Sequence, residues 1–381
     1  MTEASRLSVR DRRIVLALAG AAVVWRWLVV QRTPLPGVDA CRSLWLADEF
    51  ARGSFVGLAS APGEALWAAL LAPWVACGVT SWTAAQIVAC ALGGLVVVVV
   101  AIAAERWRES AGVPAAVLAM VVAGPVVAAG AGSVACLQAA LVAVALWGLA
   151  ARRWWWCGLV GALAFVPGFD ALQERDPASI LRAVRLGGIY LVPVALLWVL
   201  PPRPVRSVWL LVAWSMACAV AVLGSSLPAL LPAVSPCLAV LGGIGLARLP
   251  ARGRELVVCA VVLGEMHGAW SEVEPPSARV ERVVGRLLRQ HLRGSESLVS
   301  DRARVLWSAG QWPAPVHTPD AVLAAAARPE VAFLVLDVRI AKDATVAASL
   351  AGTFARHEIS ADLTDLLAEH GLQMLVRRRR P

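Results

Sequence analysis

The chain has 381 residues, 59% hydrophobic and only 16% charged, with 35 Lys and Arg against 26 Asp and Glu for a net charge of +9. Its mean hydropathy of +0.70 excludes an ordinary soluble globule, in which roughly 45–50% of residues are apolar and about 25% charged. The charge does not point to nucleic acid, because the arginines sit in short clusters between apolar runs, and the alternating pattern of a membrane β-barrel is absent.

Residues 1–13 carry Arg6, Arg10, Arg12 and Arg13 and are expected on the cytoplasmic side. A first span is predicted over 14–30. No small-residue cleavage site follows it, so it reads as a transmembrane helix and not as a cleaved signal peptide. Arg26 lies near its outer end, where it either snorkels to the interface or turns inward to meet an anion.

The loop 31–64 follows. It holds Asp39, Asp48, Glu49 and Glu64 directly after a nearly uncharged span. Residues 40–52 have helical periodicity, with Leu44, Trp45, Ala47 and Phe50 on one face and Arg42, Asp48, Glu49 and Arg52 largely on another. The pattern predicts an amphipathic helix in the membrane interface, with Trp45 as its aromatic anchor. Asp39 follows the turn Pro34-Leu-Pro-Gly37 and reads either as a site residue or as the N-cap of that helix.

Residues 62–104 are apolar with a weak break at 78–81. The later basic clusters are Arg106/Arg108, Arg152/Arg153, Arg203/Arg206 and Arg248/Arg252/Arg254. They share one side only if 62–104 crosses an odd number of times. Residues 65–78 are therefore expected to form a short re-entrant helix and 83–104 the second span. Further spans are predicted at 113–130, 134–150, 155–169, 186–200, 207–224, 227–247 and 255–270, giving about nine crossings, with about ten as the alternative. Asp170 ends one of them and reads equally as a loop acid or a site residue.

Composition changes near residue 271. The remainder, 271–381, reads as a small soluble α/β domain on the outer side. Residues 278–291 form an amphipathic helix, 297–300 and 331–337 buried strands, 320–327 and 362–370 helices, and 372–376 a last strand. The Arg377–Arg380 run reads as a solvated terminus, with a phosphate or lipid contact as the alternative.

Phosphate-binding glycine loops and the HExxH and GxSxG motifs are absent. The eight cysteines are scattered through apolar runs without metal-ligand spacing. All five histidines lie at or after residue 267, which leaves no histidine for chemistry within the earlier spans.

In this order the features resemble the GT-C glycosyltransferases, the group of protein mannosyltransferases and lipid A aminoarabinose transferases. Pro34-Leu-Pro-Gly-Val-Asp39 followed by Leu46-Ala-Asp-Glu-Phe-Ala-Arg-Gly53 is similar to the family's loop aspartate and the helix after it. Pro62 with the apolar segment 66–74 is similar to the family's juxtamembrane helix, and Ala103-Ala-Glu-Arg-Trp-Arg108 to its cytoplasmic turn. Residues 158–170 and 225–246 resemble two further spans of the family, and an α/β tail follows.

The resemblance implies a polytopic α-helical membrane protein that transfers a sugar from a polyprenyl-phosphate-linked donor. The acceptor would be a glycan, lipid or protein at the outer face of a bacterial inner membrane. Asp39 would be the general base, and Arg26, Arg42, Glu64 and Asp170 the residues around the donor phosphate and sugar. A divalent cation against that phosphate is compatible with the resemblance. The family's second outer acid is missing, since Cys136 and Gln138 stand in its region. A catalytically inactive GT-C-fold protein that binds lipid-linked glycans or supports an envelope assembly is therefore the second expectation. A transporter ranks last, because the paired broken helices of an internal repeat are absent.

Overall fold

The architecture comes from a computed structural model, which describes residues 7–32, 36, 40–54, 62–121, 134–151, 153, 227–271, 277–292, 296–312, 314–356 and 367–378. The chain divides into two units, 1–34 with 47–273 and 35–46 with 274–381. The expected spans at 155–169, 186–200 and 207–224 lie outside the described residues.

The first unit is helical. It contains α1 (Val9–Arg32), the last residues of α2 (Ala40–Ala51), α3 (Pro62–Ala76), α4 (Ser81–Trp107), α5 (Gly112–Val121), α6 (Ala135–Ala150), α7 (Leu227–Leu246) and α8 (Ala251–Ser271). Among the described residues, two helices are long and apolar enough to cross a membrane, Val9–Gln31 and Ser81–Trp107. Shorter apolar helices lie at Glu64–Ala76, Gly112–Val121, Ala135–Ala150 and Ser235–Leu246. Large apolar side chains such as Leu16, Val24 and Leu28 on α1 and Leu256 and Leu263 on α8 are exposed. A face of that kind suits lipid and is costly in water.

Small residues set the packing of this bundle. A Cβ on Gly94 would sit 2.9 Å from the Val23 side chain and 3.3 Å from the Ala19 carbonyl oxygen. One on Gly243 would sit 2.8 Å from the Ala115 backbone. Backbones can approach this closely only where side chains are absent, the usual device of membrane helix pairs. The same contacts fix direction. Gly112, just after the end of α4, lies against Leu7 at the start of α1, whereas Gly93 lies against Arg26 near the end of α1. Helices α1 and α4 are therefore antiparallel. The segment between them, α3 included, begins and ends at the same end of the bundle.

At the other end, the turn after α4 is held by Glu105. This carboxylate is buried and accepts hydrogen bonds from the Ser110 amide (3.1 Å) and the Gly112 amide (2.9 Å). It satisfies donors at the start of α5 that have no partner within the helix. Arg106 and Arg153 both lie over the Trp147 ring, at 5.7 and 5.9 Å from its centroid. Arg108 is within electrostatic reach of Arg248. Arg106, Arg108, Arg153 and Arg248, from three separate basic clusters, thus gather at one end of the bundle.

The second unit is a four-stranded sheet with helices on both faces. It comprises α9 (Ser277–His291), β1 (Ser297–Ser300), α10 (Ala303–Ser308), α11 (Pro319–Ala326), β2 (Val331–Asp337), α12 (Val338–Ala341), α13 (Ala344–Leu350), β3 (Phe354–Arg356) and β4 (Leu372–Arg377). The strand order is β1-β2-β4-β3, with β1 and β2 parallel and the other pairs antiparallel. Side chains on β2 alternate between two cores. Phe333 and Val335 join Val284, Leu288 and Leu306 on one face, and Leu334 and Leu336 join Val322, Val346 and Leu350 on the other. Burial on both faces explains the unbroken apolar run Val-Ala-Phe-Leu-Val-Leu.

Local chemistry starts the helices. The Thr318 hydroxyl caps α11, with Pro319 at its first position, and the Asp343 carboxylate caps α13. The short elements α10, α12, α13 and β3 lie outside the expected set, because three to seven residues carry too little periodicity to be read. Most of the helix expected over 362–370 lies outside the described residues. Arg377 departs from its reading as part of a solvated tail. It donates to the carbonyl oxygens of Val331 (2.6 Å), Ala326 (2.7 Å) and Arg328 (2.5 Å), and lies over the Phe354 ring.

Candidate functional site

Helix α1 carries Arg26, which is only 1% exposed. Of the two expected orientations, the inward one is observed. The guanidinium extends across α4, over Gly93, where a Cβ would lie 2.7 Å from its Cζ atom. It donates to the Ala22 carbonyl oxygen at 3.4 Å and to Ala119 on α5 at 3.3 Å. Both bonds are long for a charged donor. Cys90 on α4 and Cys136 on α6 are buried and within its electrostatic reach. Arg26 therefore joins three helices, α1, α4 and α5, and Cys136, from the region where the resemblance places a second acid, lies within its electrostatic reach. A buried arginine inside a membrane span is costly, and such residues face the bundle interior and mark ligand or ion sites.

Glu64 stands in the first turn of α3 and is 8% exposed. Its charge there complements the positive end of the helix dipole. It belongs to the same unit as Arg26. Asp39 and Asp170 lie outside the described residues. Arg42 is half-buried on α2, and its neighbours Cys41, Ser43 and Leu44 are buried. Farther along the helix, Glu49 pairs with Arg52 at 2.6 Å, with the arginine largely exposed. An exposed pair of this kind stabilises little and marks a wet face.

The segment 35–46 groups with the second unit. Trp45 differs here from its expected role as a lipid anchor: its ring meets Trp312 edge to face, with centroids 4.8 Å apart. Arg304 on α10 donates from Nε to the Pro36 carbonyl oxygen at 2.8 Å and pairs with Glu281 on α9 at 3.6 Å. Glu281 is pushed above the usual carboxylate range by burial, and Arg304 opposes the shift. Asp301, at the end of β1, is also raised by burial, with Arg302 opposing. Arg302 in turn bonds Asp337 at the end of β2 at 2.7 Å.

Sequence reasoning missed Gly93, Arg304, Glu281 and Trp312. A Gly93-Gly94 pair inside a Val- and Leu-rich span is a readable signal of close approach. The other three carry no local signal, because their partners lie far away in the chain. Among the described residues, no group of three His, Cys, Asp or Glu could hold a metal ion.

No family model matches the sequence, and no match is found among curated proteins. The fold is similar to the crystal structure of ArnT from Cupriavidus metallidurans bound to undecaprenyl phosphate. The TM-score is 0.63 at 14% sequence identity, covering 95% of this chain and 97% of that one. The chain shares the fold of that structure, mostly helical with a small sheet. Among the described residues, two helices are long and apolar enough to cross a membrane.

Proposed function

We propose that the chain is a membrane glycosyltransferase that moves a hexosyl or pentosyl group from a polyprenyl-phosphate donor to an acceptor glycan, lipid or protein. The observation that carries this reading is Arg26, a cation buried in the first helix of a GT-C-like fold. ArnT is bound to undecaprenyl phosphate in the similar structure, and a buried guanidinium is suited to such a phosphate headgroup. Arg42, Glu64 and Asp170 are the further residues for the donor phosphate or sugar in this reading.

Asp39 acts as general base. It takes the proton of the acceptor hydroxyl as the hydroxyl oxygen attacks the anomeric carbon. The bond from that carbon to the phosphate oxygen breaks, and its electron pair leaves with the polyprenyl phosphate. The configuration at the anomeric carbon inverts. A carboxylate within hydrogen-bond reach is the chemistry this step needs. We propose the extracytoplasmic side of a bacterial inner membrane for the reaction and for the α/β unit. The gathering of Arg106, Arg108, Arg153 and Arg248 at one end of the bundle supports this, since positive clusters face the cytoplasm.

A second reading, a GT-C-fold protein that binds lipid-linked glycans without turnover, is favoured by one feature. Cys136 and Gln138, both buried, stand where the family resemblance places an acid. The two readings separate in one experiment on the purified chain. Undecaprenyl phosphate binding is measured with Arg26→Met as control, and transfer is measured from a defined set of undecaprenyl-phosphate hexoses and pentoses with Asp39→Asn as control. Binding lost in Arg26→Met together with transfer lost in Asp39→Asn supports the enzyme. Binding without transfer supports the second reading, and binding unaffected by Arg26→Met overturns the role of Arg26.

A further inference from the structure

The outer face of α9 is a stripe of arginine. Arg279, Arg282, Arg286 and Arg289 recur at spacings of three, four and three residues. At about 100° per residue they fall, with Val283 and Gln290, within an arc of roughly 120° and along roughly 15 Å of helix. Arg279, Val283, Arg286, Arg289 and Gln290 are exposed, and Arg282 is half-buried. The opposite face carries Val280, Val284 and Leu288 into the core against the sheet. Glu281, the one acid of the helix, also turns inward, where its side chain is 5% exposed and pairs with Arg304. No carboxylate of α9 therefore lies on the stripe.

Three features decide what such a face meets. Its apolar side is already covered by the sheet, so α9 cannot sink into a bilayer as a free amphipathic helix does. Contact falls to the guanidinium groups, whose paired donors suit phosphate oxygens. The arc holds no aromatic side chain on which a base could stack, which disfavours single-stranded nucleic acid. Only residues 272–276 separate α9 from α8, in a chain with two helices long and apolar enough to cross a membrane. A chain embedded in a bilayer keeps that anionic surface at high local concentration. We infer that the Arg279–Arg289 face of α9 is a docking surface for the anionic headgroups of membrane phospholipid. Each arginine close to such a surface strengthens binding about fivefold, so the three exposed ones together act by about 100-fold. Because α9 belongs to a folded unit and not to a short loop, its charge does not set the side of the membrane. The inference rests on the membrane reading proposed above and not on sugar transfer.

The test uses the full chain in nanodiscs of phosphatidylcholine, alone or with a third of it replaced by phosphatidylglycerol. The photo-crosslinker p-benzoylphenylalanine stands in place of Val283, and lipid adducts are counted by mass spectrometry. Adducts are expected to rise about fivefold or more with phosphatidylglycerol. They should fall back at high salt, where the screening length drops from about 10 Å at 0.1 M to about 3 Å at 1 M. Replacing Arg279, Arg286 and Arg289 together by Gln should lower the phosphatidylglycerol adducts about tenfold or more. The melting temperature should stay near wild type, since these side chains are exposed. Replacing the same three by Lys should keep most of the adducts, because attraction to a charged surface needs the charge and not the fork. Equal yields with and without phosphatidylglycerol overturn the inference, as do cross-links to protein in place of lipid. Loss of adducts in the lysine variant marks a discrete phosphate pocket and overturns the surface. Transfer from the donor set named above is expected unchanged in both variants. Failure of this surface therefore leaves the proposed enzyme standing, and an inactive chain leaves this test intact.

Discussion

The Arg26 guanidinium of α1 lies across Gly93 of α4, so close that a Cβ on that glycine would stand 2.7 Å from the arginine Cζ atom. The two residues form one device. A buried cation crosses from one helix to the next because the facing position has no side chain. Gly93→Ala is therefore expected to destabilise the bundle by about 1–3 kcal/mol through overpacking and to weaken undecaprenyl phosphate binding by displacing Arg26. Gly20→Ala on α1 is the control. A Cβ there meets nothing within 4 Å, so its melting temperature should match or exceed that of wild type. Thermal unfolding in micelles and lipid binding check both.

Arg377 should prove structural. It donates to three carbonyl oxygens and covers the Phe354 ring. Arg377→Ala removes all of these contacts and is expected to cost about 2 kcal/mol. Arg377→Lys should recover only part of this, because a single ammonium cannot match the fork of donors. Hydrogen exchange of 331–337 in the two variants measures the difference. Lipid or phosphate affinity should be unchanged in either.

The α/β unit should lose stability as pH rises through the carboxylate range. Burial raises both Glu281 and Asp301 above their ordinary values. In the window from those ordinary values up to the raised ones, the folded state keeps protons that the unfolded chain has released. The folded state then binds more protons, so unfolding becomes easier as pH increases. Asp343 works in the opposite sense, lowered by the Thr345 hydroxyl and the Val346 and Thr345 amides. Its contribution is present above its ordinary value and lost as pH falls through the depressed one. Glu281→Gln should flatten the first dependence without touching the second, as read by calorimetry across acidic to neutral pH.

Sidedness can be read directly. A reporter fused after Ser277 is expected to report the extracytoplasmic side, and one placed in the 106–112 turn the cytoplasmic side. A cytoplasmic signal after Ser277 would reverse the placement of the α/β unit and of the proposed reaction.

Much of this organisation was legible in the chain. The apolar segments at 83–104 and 134–150 correspond to helices α4 and α6, of which α4 is long enough to cross a membrane, and the strands at 297–300 and 331–337 to β1 and β2. Apolar runs of membrane length, and short apolar runs between turn signals, are local properties, so they survive without knowledge of contacts. The site was legible only in part. Arg26 stood out because a charge in an apolar span is conspicuous. Trp45 was legible as an aromatic on an amphipathic helix, but its partner Trp312 was not.

The sequence by itself determined a membrane-class composition, a change to α/β text near residue 271, and a short list of polar residues out of place in apolar surroundings. The tertiary structure alone decided where those residues point. It turned Arg26 across Gly93 toward α5, tied Pro36 to Arg304, and drew Arg377 into a sheet edge. The physical reason is that burial and helical periodicity depend on neighbours a few residues apart. A hydrogen bond such as Arg304 to Pro36 depends on two segments 268 residues apart that meet only when the chain has folded.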